Sequence, residues 1–320
     1  MQRVVFVRSG ALGDSLLTLP TLRSLRLQRP DITVSFIGHR QVLPLVLSSG
    51  LADSVYPHDL AAWSVVFDVN ATPDDLAAAL LTDAVTVRWH NISTRAPTWS
   101  RLPIMSASML TVDTTPRAFE HISLTLASAL QPLGLTPLRS TAEINSMMPL
   151  LTPSTLTATA ADYILADWSG AAGRTVIAIH PGSGGAAKRW PVGRYSELAG
   201  RLVQRGYAVL VFGSLVDAPL LHQIVATNPE PPDTVRLGMD YPLEVVAAML
   251  AHCAGFIGND SGITHVSALC NCPTIAVFGP TDPATWAPLG RDTQVVRDHE
   301  GRIDQVSVAD ILAAVDALGV

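Results

Sequence analysis

The stretch RTVIAIHPGSGGAAKRWP, residues 174–191, decides the fold prediction for this chain of 320 residues. RTVIAIH has the β-branched, apolar composition of a strand that is buried on both faces, and PGSGG follows it as a glycine-rich turn. Such turns expose backbone N–H groups that suit phosphate oxygens. A strand that ends in this kind of turn indicates an α/β protein whose ligand lies beyond the carboxyl ends of parallel strands.

Lys188, inside this stretch, is the only lysine of the chain, because the other 20 of its 21 Lys and Arg residues are arginine. A chain with this bias would be expected to use arginine wherever a generic positive charge is enough. A retained lysine beside a glycine-rich turn therefore indicates a need for a compact ammonium group on a flexible stem. The alternative is a solvated surface lysine, and the adjacent turn favours a phosphate ligand over it.

Composition and charge exclude several classes of protein. Hydrophobic residues make up 48% of the chain and charged residues 15%, which is typical of a core-rich globular protein. Residues 1–150 hold 11 arginines against 11 acidic residues, and residues 151–320 hold 10 basic against 16 acidic residues. Nucleic-acid-binding domains usually carry a basic excess, so the acidic balance argues against a nucleic-acid partner.

Cysteine use and hydropathy favour a cytoplasmic protein without a metal centre. The three cysteines form no CxxC pair and no Cys/His spacing for zinc, and we expect free thiols at Cys253, Cys270 and Cys272. The apolar run at the N-terminus is interrupted by Arg8 and is too short for a signal peptide. No uncharged apolar stretch of membrane-spanning length occurs, although peripheral contact with a membrane stays open.

Strand and helix signals alternate along the whole chain, which predicts parallel sheets with helices on both faces. The predicted strands are 4–7, 32–37, 64–69 and 84–89 in the first half and 175–180, 207–213, 255–258 and 274–279 in the second. The predicted helices are 14–29, 74–81, 117–131, 154–169, 193–205, 217–227, 242–252 and 262–270.

A proline-containing stretch with weak periodicity, residues 132–155, separates two α/β halves. We therefore predict an N-terminal Rossmann-like domain over 1–155 and a C-terminal one over 156–320. The last apolar helix, 307–319, is predicted to pack back on the N-terminal domain. Since ligands in such folds bind outside the carboxyl ends of the strands, a cleft between the halves is expected.

The first candidate site is RSGALGDSLLTLP, residues 8–20. Strand 4–7 is predicted to enter a turn containing Gly10 and Gly13, where the backbone can approach a ligand closely. A helix is predicted to start at about Asp14. Asp14 is then either a helix N-cap or a general base that takes a proton from a sugar hydroxyl. The motif is neither a dinucleotide fingerprint nor a Walker A loop.

The second and third candidate sites are both predicted to bind anions. Ser183, Gly184 and Lys188 are placed to contact a diphosphate. GNDSGITHVSALCNCPTIAVFGPTDPATWAP, residues 258–288, is predicted to open a helix near Ile263 whose first N–H groups lack intrahelical partners. Asp260 is either a cap or an acceptor for a ligand hydroxyl, and His265 either faces a phosphate or packs. No DxD-like carboxylate pair that would hold a divalent metal occurs in a suitable setting, and no convincing nucleophilic triad is found.

These three stretches, in this order, resemble glycosyltransferase family 9, the heptosyltransferases of lipopolysaccharide core assembly. RAFEHISLTLASALQPLGL, residues 117–135, also resembles the helix between the family's motifs, and the likeness extends over about residues 3–290. The resemblance implies a GT-B fold, in which two Rossmann-like domains face each other across a cleft. It further implies an ADP-heptose co-substrate and an inverting transfer without a tightly held metal or other cofactor.

The resemblance also implies roles for individual residues. Asp14 would be the base that activates the acceptor hydroxyl, and Ser183, Gly184 and Lys188 would hold donor phosphate. Donor sugar and diphosphate would be held by Asp260, Ser261, Gly262 and His265. Asp217 would lie near the donor nucleoside or serve only as a helix cap. Gly10 and Gly13 would lie on the acceptor side. Acceptor contacts would also be expected over residues 70–108, which match no motif of the family; Arg88 and Arg101 in this segment either contact the phosphates of a glycolipid or glycan or form a solvated face.

Three alternatives remain open at this point. A family member could use another nucleotide-sugar donor or a non-lipid acceptor. A sugar-nucleotide 2-epimerase shares the fold but would need further acid and base residues. A non-catalytic nucleotide-sugar-binding protein would have no need of a base at Asp14.

Overall fold

The computed structural model describes residues 3–8, 10–57, 115–228 and 233–320, together with the strands 84–90 and 108–113. The chain divides into two compact units, Met1–Leu150 and Leu151–Val320. Each unit is built around a parallel sheet, which confirms the predicted fold class of two parallel α/β sheets. None of the helices in the described ranges is long and apolar enough to cross a bilayer.

The sheet of the first unit has five described strands in the order β3-β2-β1-β4-β5, all parallel. They are β1 (Arg3–Val7), β2 (Thr33–Gly38), β3 (Ser54–Pro57), β4 (Ala84–His90) and β5 (Ser108–Asp113). Strand β1 lies at the centre, and its residues Val4, Val5 and Phe6 are completely buried. Its last residue, Val7, pairs with Ile37 of β2 and Arg88 of β4.

The described helices of the first unit are α1 (Leu12–Leu16), α2 (Leu19–Gln28), α3 (Leu43–Ser48), α4 (Ile122–Ala127) and α5 (Thr141–Ser146). The prediction of a single helix over 14–29 is wrong, because the helix is interrupted between Leu16 and Leu19. Pro20 has no N–H to give to the carbonyl of Leu16, and the Thr18 hydroxyl donates to the carbonyl of Ser15 at 2.6 Å. The predicted strand 64–69 and helix 74–81 lie outside the described residues.

The sheet of the second unit has six parallel strands in the order β11-β10-β9-β6-β7-β8. They are β6 (Val176–His180), β7 (Ala208–Gly213), β8 (Val235–Met239), β9 (Gly255–Asn259), β10 (Thr274–Phe278) and β11 (Thr293–Arg297). The four strands predicted here are the four central ones. They are covered on both faces and therefore nearly all apolar.

The helices of the second unit are α6 (Thr155–Ala166), α7 (Val192–Gln204), α8 (Ala218–Ala226), α9 (Leu243–His252), α10 (Gly262–Leu269), α11 (Pro283–Trp286) and α12 (Val308–Leu318). Helix α12 buries Ile311 and Val315 in the core of the second unit itself, and its Asp316 pairs with Arg205 at 2.7 Å. Sequence analysis predicted that this helix packs back on the N-terminal domain. These contacts lie within the second unit, and the packing of this helix on the N-terminal domain stays a prediction.

Candidate functional site

Polar side chains follow four neighbouring strands of the second sheet at their carboxyl ends. In the spatial order β10-β9-β6-β7, they are Thr281, Asp260, the pair Ser183 and Lys188, and Asp217. Residues that are up to 98 positions apart in the sequence thus come together along one edge. This edge is where open parallel α/β sheets bind their ligands.

Lys188 is held by an aspartate. Its ammonium nitrogen Nζ lies 2.7 Å from Oδ2 of Asp260, and the side chain of Asp260 is only 7% exposed whereas that of Lys188 is 37% exposed. The Thr281 hydroxyl donates to the same Oδ2 at 2.6 Å. A carboxylate that is so deeply buried requires charged or hydrogen-bonding partners, and these two residues supply them.

The backbone of Asp260 is fixed from two sides. Its N–H donates to the carbonyl of Val277 at 3.1 Å, and its carbonyl accepts the hydroxyl of Ser183 at 3.0 Å. Arg189 donates two guanidinium N–H groups to the carbonyl of Ser183, at 2.9 and 3.1 Å. Arg189 therefore fastens the glycine-rich turn in this structure.

The tip of the glycine-rich turn is open. A Cβ placed on Gly184 or Gly185 would meet nothing within 4 Å, and Gly184 is exposed. Backbone N–H groups at such a tip are accessible to a ligand anion. The stem of the turn is rigid by contrast, because Ser183 is buried and doubly anchored.

Asn259 connects the turn to β9. It is completely buried, and its Oδ1 accepts the backbone N–H of Trp190 and the hydroxyl of Tyr195, each at 3.0 Å. Its Nδ2 donates to the carbonyls of Pro181 at 2.8 Å and Gly182 at 3.3 Å. A single side chain thus ties both ends of the glycine-rich turn to the central strand.

Helix α10 begins directly after Asp260. Its N-cap residue, Ser261, makes no side-chain bond to the first N–H groups of the helix, and its hydroxyl lies 3.2 Å from that of Thr264. Gly262 opens the helix, and His265 in its first turn is buried. N–H groups at a helix start favour an anion, so the predicted anion-binding role of this segment stays a prediction with a suitable geometry.

Asp217 acts as a cap in this structure. Its Oδ2 accepts the N–H of Ser214 at 3.1 Å and the hydroxyl of Ser214 at 2.8 Å, which closes the turn Leu215–Asp217. Asp217 is also the N-cap residue of α8, but its side chain makes no bond to the first N–H groups of that helix. A Cβ on Gly182 would lie 2.5 Å from Oδ1 of Asp217, so this position of the turn accepts only glycine without a rearrangement.

His180 lies between Asp217 and the core. Burial lowers the pKa of His180 to about 4, against the opposing effect of Asp217, whose Oδ2 is 3.9 Å from the imidazole Nε2. Its Nδ1 is buried without a hydrogen-bond partner. The imidazole is therefore neutral at physiological pH and contributes no charge to the site.

In the first unit, Asp14 is the third residue of α1 and not its N-cap, because the helix begins at Leu12. One carboxylate oxygen accepts a hydrogen bond from the N–H of Ala11 at 2.9 Å, and the other accepts one from Nη2 of Arg8 at 2.7 Å. The side chain of Arg8 is 8% exposed and that of Asp14 is 33% exposed. A buried cation thus orients a carboxylate that still reaches solvent.

The two glycines and two arginines predicted for the acceptor side have different outcomes in the structure. Gly10 has φ +128°, and a Cβ there would lie 2.6 Å from Oδ2 of Asp14. Gly13 lies inside α1, so its prediction as a turn residue is wrong. The backbone of Arg88 pairs with Val7 at the carboxyl end of β1. The side chain of Arg88 and the whole of Arg101 lie outside the described residues.

Three residues of these sites were not selected by sequence reasoning. Asn259 and Thr281 were noticed only as parts of loops, and Arg8 only as part of a motif. All three are polar residues at the end of a buried strand or within three residues of it, and this is the signal that they share. Among the described residues, no three His, Cys, Asp or Glu side chains are grouped as metal ligands.

Comparison with known proteins identifies the family of this chain. The family model described as glycosyltransferase family 9 (heptosyltransferase) matches residues 141–315. Lipooligosaccharide heptosyltransferase 2 of Haemophilus influenzae is 37% identical over 140 residues, which cover 43% of this chain and 40% of that protein. The alignment therefore spans about two fifths of that relative's length.

Two longer matches cover nearly the whole chain. Lipopolysaccharide heptosyltransferase 3 of Escherichia coli is 25% identical, and the alignment covers 96% of both chains. The solved structure of E. coli ADP-heptose lipopolysaccharide heptosyltransferase II has a TM-score of 0.72 at 21% identity, over 99% of this chain and 98% of that one. At this identity the structural match shows a shared fold.

Proposed function

The chain belongs to glycosyltransferase family 9, and from this membership we propose that it transfers a heptose from ADP-heptose to a hydroxyl of a lipopolysaccharide core or related glycan. The observation that carries the proposal is the placement of Lys188, the open glycine-rich turn and the start of α10 at the ends of the adjacent strands β6 and β9. An ammonium group and unpaired N–H groups are the donors that a diphosphate requires.

The proposed roles divide between the two units. Lys188, the N–H groups of Ser183 and Gly184, and the start of α10 at Ser261 and Gly262 bind the diphosphate. Asp260 and His265 contact the donor sugar. The ammonium group of Lys188 and the N–H dipoles supply the positive charge that stabilises the departing diphosphate, so the proposed chemistry requires no resident cofactor.

Asp14 is the proposed general base. The acceptor oxygen attacks the anomeric carbon as its proton passes to the Asp14 carboxylate, and the bond from the anomeric carbon to the β-phosphate oxygen breaks. ADP leaves with that electron pair, and the configuration at the anomeric carbon inverts. The ion pair with Arg8 keeps the carboxylate oriented while its exposed part accepts the proton.

The acceptor and the place of action are the finer parts of the proposal. Relatives named for lipopolysaccharide and lipooligosaccharide support a glycolipid acceptor, and the proposed place of action is the cytoplasmic face of the inner membrane. Arg88 is proposed to belong to the acceptor side. Its backbone pairs with Val7 at the carboxyl end of β1, and the segment that carries Asp14 follows that strand.

The proposal is tested with purified protein, ADP-heptose and a core acceptor that lacks heptose. We expect release of ADP together with an acceptor whose mass rises by one heptosyl residue. Lys188→Met is expected to abolish most of this activity, whereas Arg205→Met, which removes a surface ion pair to Asp316, should leave it intact. Absence of both ADP release and the acceptor product would contradict the proposed function.

A donor screen separates the alternatives. A ligand that binds the native state raises the melting temperature by mass action, so ADP-, UDP- and GDP-sugars are compared by thermal shift. Stabilisation by ADP-heptose alone supports the proposal. Stabilisation by a UDP- or GDP-sugar alone would indicate a family member with another donor, and stabilisation without turnover on any glycan would indicate a binding protein.

A further inference from the structure

Asp260 has two partners of different kinds, and the difference has a functional consequence. Lys188 is charged, 37% exposed and carried on a flexible stem, whereas Thr281 is a neutral donor on a short side chain. The backbone of Asp260 is held at both its N–H and its carbonyl. If the ion pair opens, Lys188 is therefore the partner that moves.

A diphosphate bound at the open turn competes with Asp260 for the ammonium group. When Lys188 turns towards phosphate, Asp260 loses a charged hydrogen bond while its side chain stays almost completely buried. A buried carboxylate without any donor is strongly destabilised. The Thr281 hydroxyl, 2.6 Å from the same oxygen, is the donor that remains.

We propose that Thr281 is a positioning residue for the donor site, which holds Asp260 when Lys188 transfers from this carboxylate to the diphosphate of the nucleotide sugar. The inference rests on the proposed function and adds to it a residue that acts through Asp260 and Lys188. The same hydroxyl keeps Oδ2 of Asp260 in place, so that the carboxylate stays available to the donor sugar.

The test is a double-mutant cycle on ADP affinity, measured by titration calorimetry. Thr281→Val removes the hydroxyl at nearly constant volume, and we expect it to weaken ADP binding about ten-fold, as loss of a hydrogen bond to a charged group does. In a Lys188→Met background there is no ammonium to transfer, so the same substitution should change ADP affinity less than two-fold. This dependence on background distinguishes transfer of the lysine from general damage to the loop.

Two control variants complete the experiment. Thr281→Ser keeps the hydroxyl and is expected to retain most of the ADP affinity, and Thr227→Val, on the exposed end of α8, should behave like the wild type. Equal penalties for Thr281→Val in both backgrounds, or no penalty in the presence of Lys188, would overturn the inference alone. Failure of the wild-type protein to bind ADP would overturn both the proposed function and this inference.

Discussion

Asn259 offers the sharpest test of how the donor site is supported. Replacing Asn259 with alanine leaves two buried donors, the N–H of Trp190 and the hydroxyl of Tyr195, and the carbonyl of Pro181 without their partner. The hydrogen bond to the carbonyl of Gly182, at 3.3 Å, is long and contributes less than the other three. Each buried polar group that loses its partner destabilises the fold by about 1 kcal/mol or more.

Three such groups give a loss of about 3 kcal/mol in the free energy of unfolding. For a unit of this size, 1 kcal/mol lowers the melting temperature by about 2–4 °C, so we expect Asn259→Ala to lower it by about 6–12 °C. The measurement is thermal unfolding of the full chain by calorimetry, in which the transition of the second unit is followed. ADP affinity should fall as well, because Pro181 and Gly182 lead into the turn that is proposed to bind phosphate.

Asn228 provides the matched control. Its amide also donates to two carbonyls, those of Ser196 and Ile224, but the residue is partly exposed and water can replace it. Asn228→Ala is therefore expected to shift the melting temperature by no more than about 3 °C. A shift for Asn259→Ala as small as that of the control would refute the reasoning.

Asp14→Asn should lower turnover about 100-fold or more while ADP affinity changes less than about three-fold; wild-type turnover in steady-state assays would remove Asp14 from the mechanism. Lys188→Met should weaken ADP binding in calorimetry at least ten-fold, and unchanged affinity would contradict its role. Gly182→Ala should weaken ADP binding and lower the melting temperature, since its Cβ meets Asp217 at 2.5 Å; wild-type values for both would show that the turn adapts. His180 has a pKa lowered to about 4 by burial, so the unfolded chain takes up the proton first and stability falls as pH drops from about 6.5 towards 4. His180→Asn should flatten this part of the melting profile, and an unchanged slope would assign the acid sensitivity to other groups.

The strands that sequence reasoning found and those that it missed differ in one physical respect. The missed strands β3, β5, β8 and β11 lie at the edges of the two sheets as the described residues form them. Edge strands are less completely covered, so β8 and β11 include Arg236 and Gln294 and lack a continuous apolar run. Central strands such as β9 and β10, which are buried along their whole length, show the run that predicts them.

The residues of the candidate site also fall into two groups, those that local sequence motifs identified and those that they did not. Motif reasoning selected Asp14, Ser183, Lys188 and Asp260 because glycine-rich turns and helix starts have local sequence signatures. It did not select Thr281, whose hydroxyl reaches Asp260 across 21 positions of sequence. Contacts between loops of neighbouring strands depend on strand order, which local patterns do not contain.

The amino-acid sequence by itself determined that this chain forms two parallel α/β units, and it predicted anion-binding turns after the first strand of the second unit and again after β9. These features depend on apolar periodicity and turn chemistry within a few residues. Only the tertiary structure decided that the single lysine is paired with Asp260, that Asp217 closes its own turn, and that Asp14 is oriented by Arg8. A charged side chain selects its partner by distance and burial in the folded state, and both follow from how the strands are arranged in the sheet.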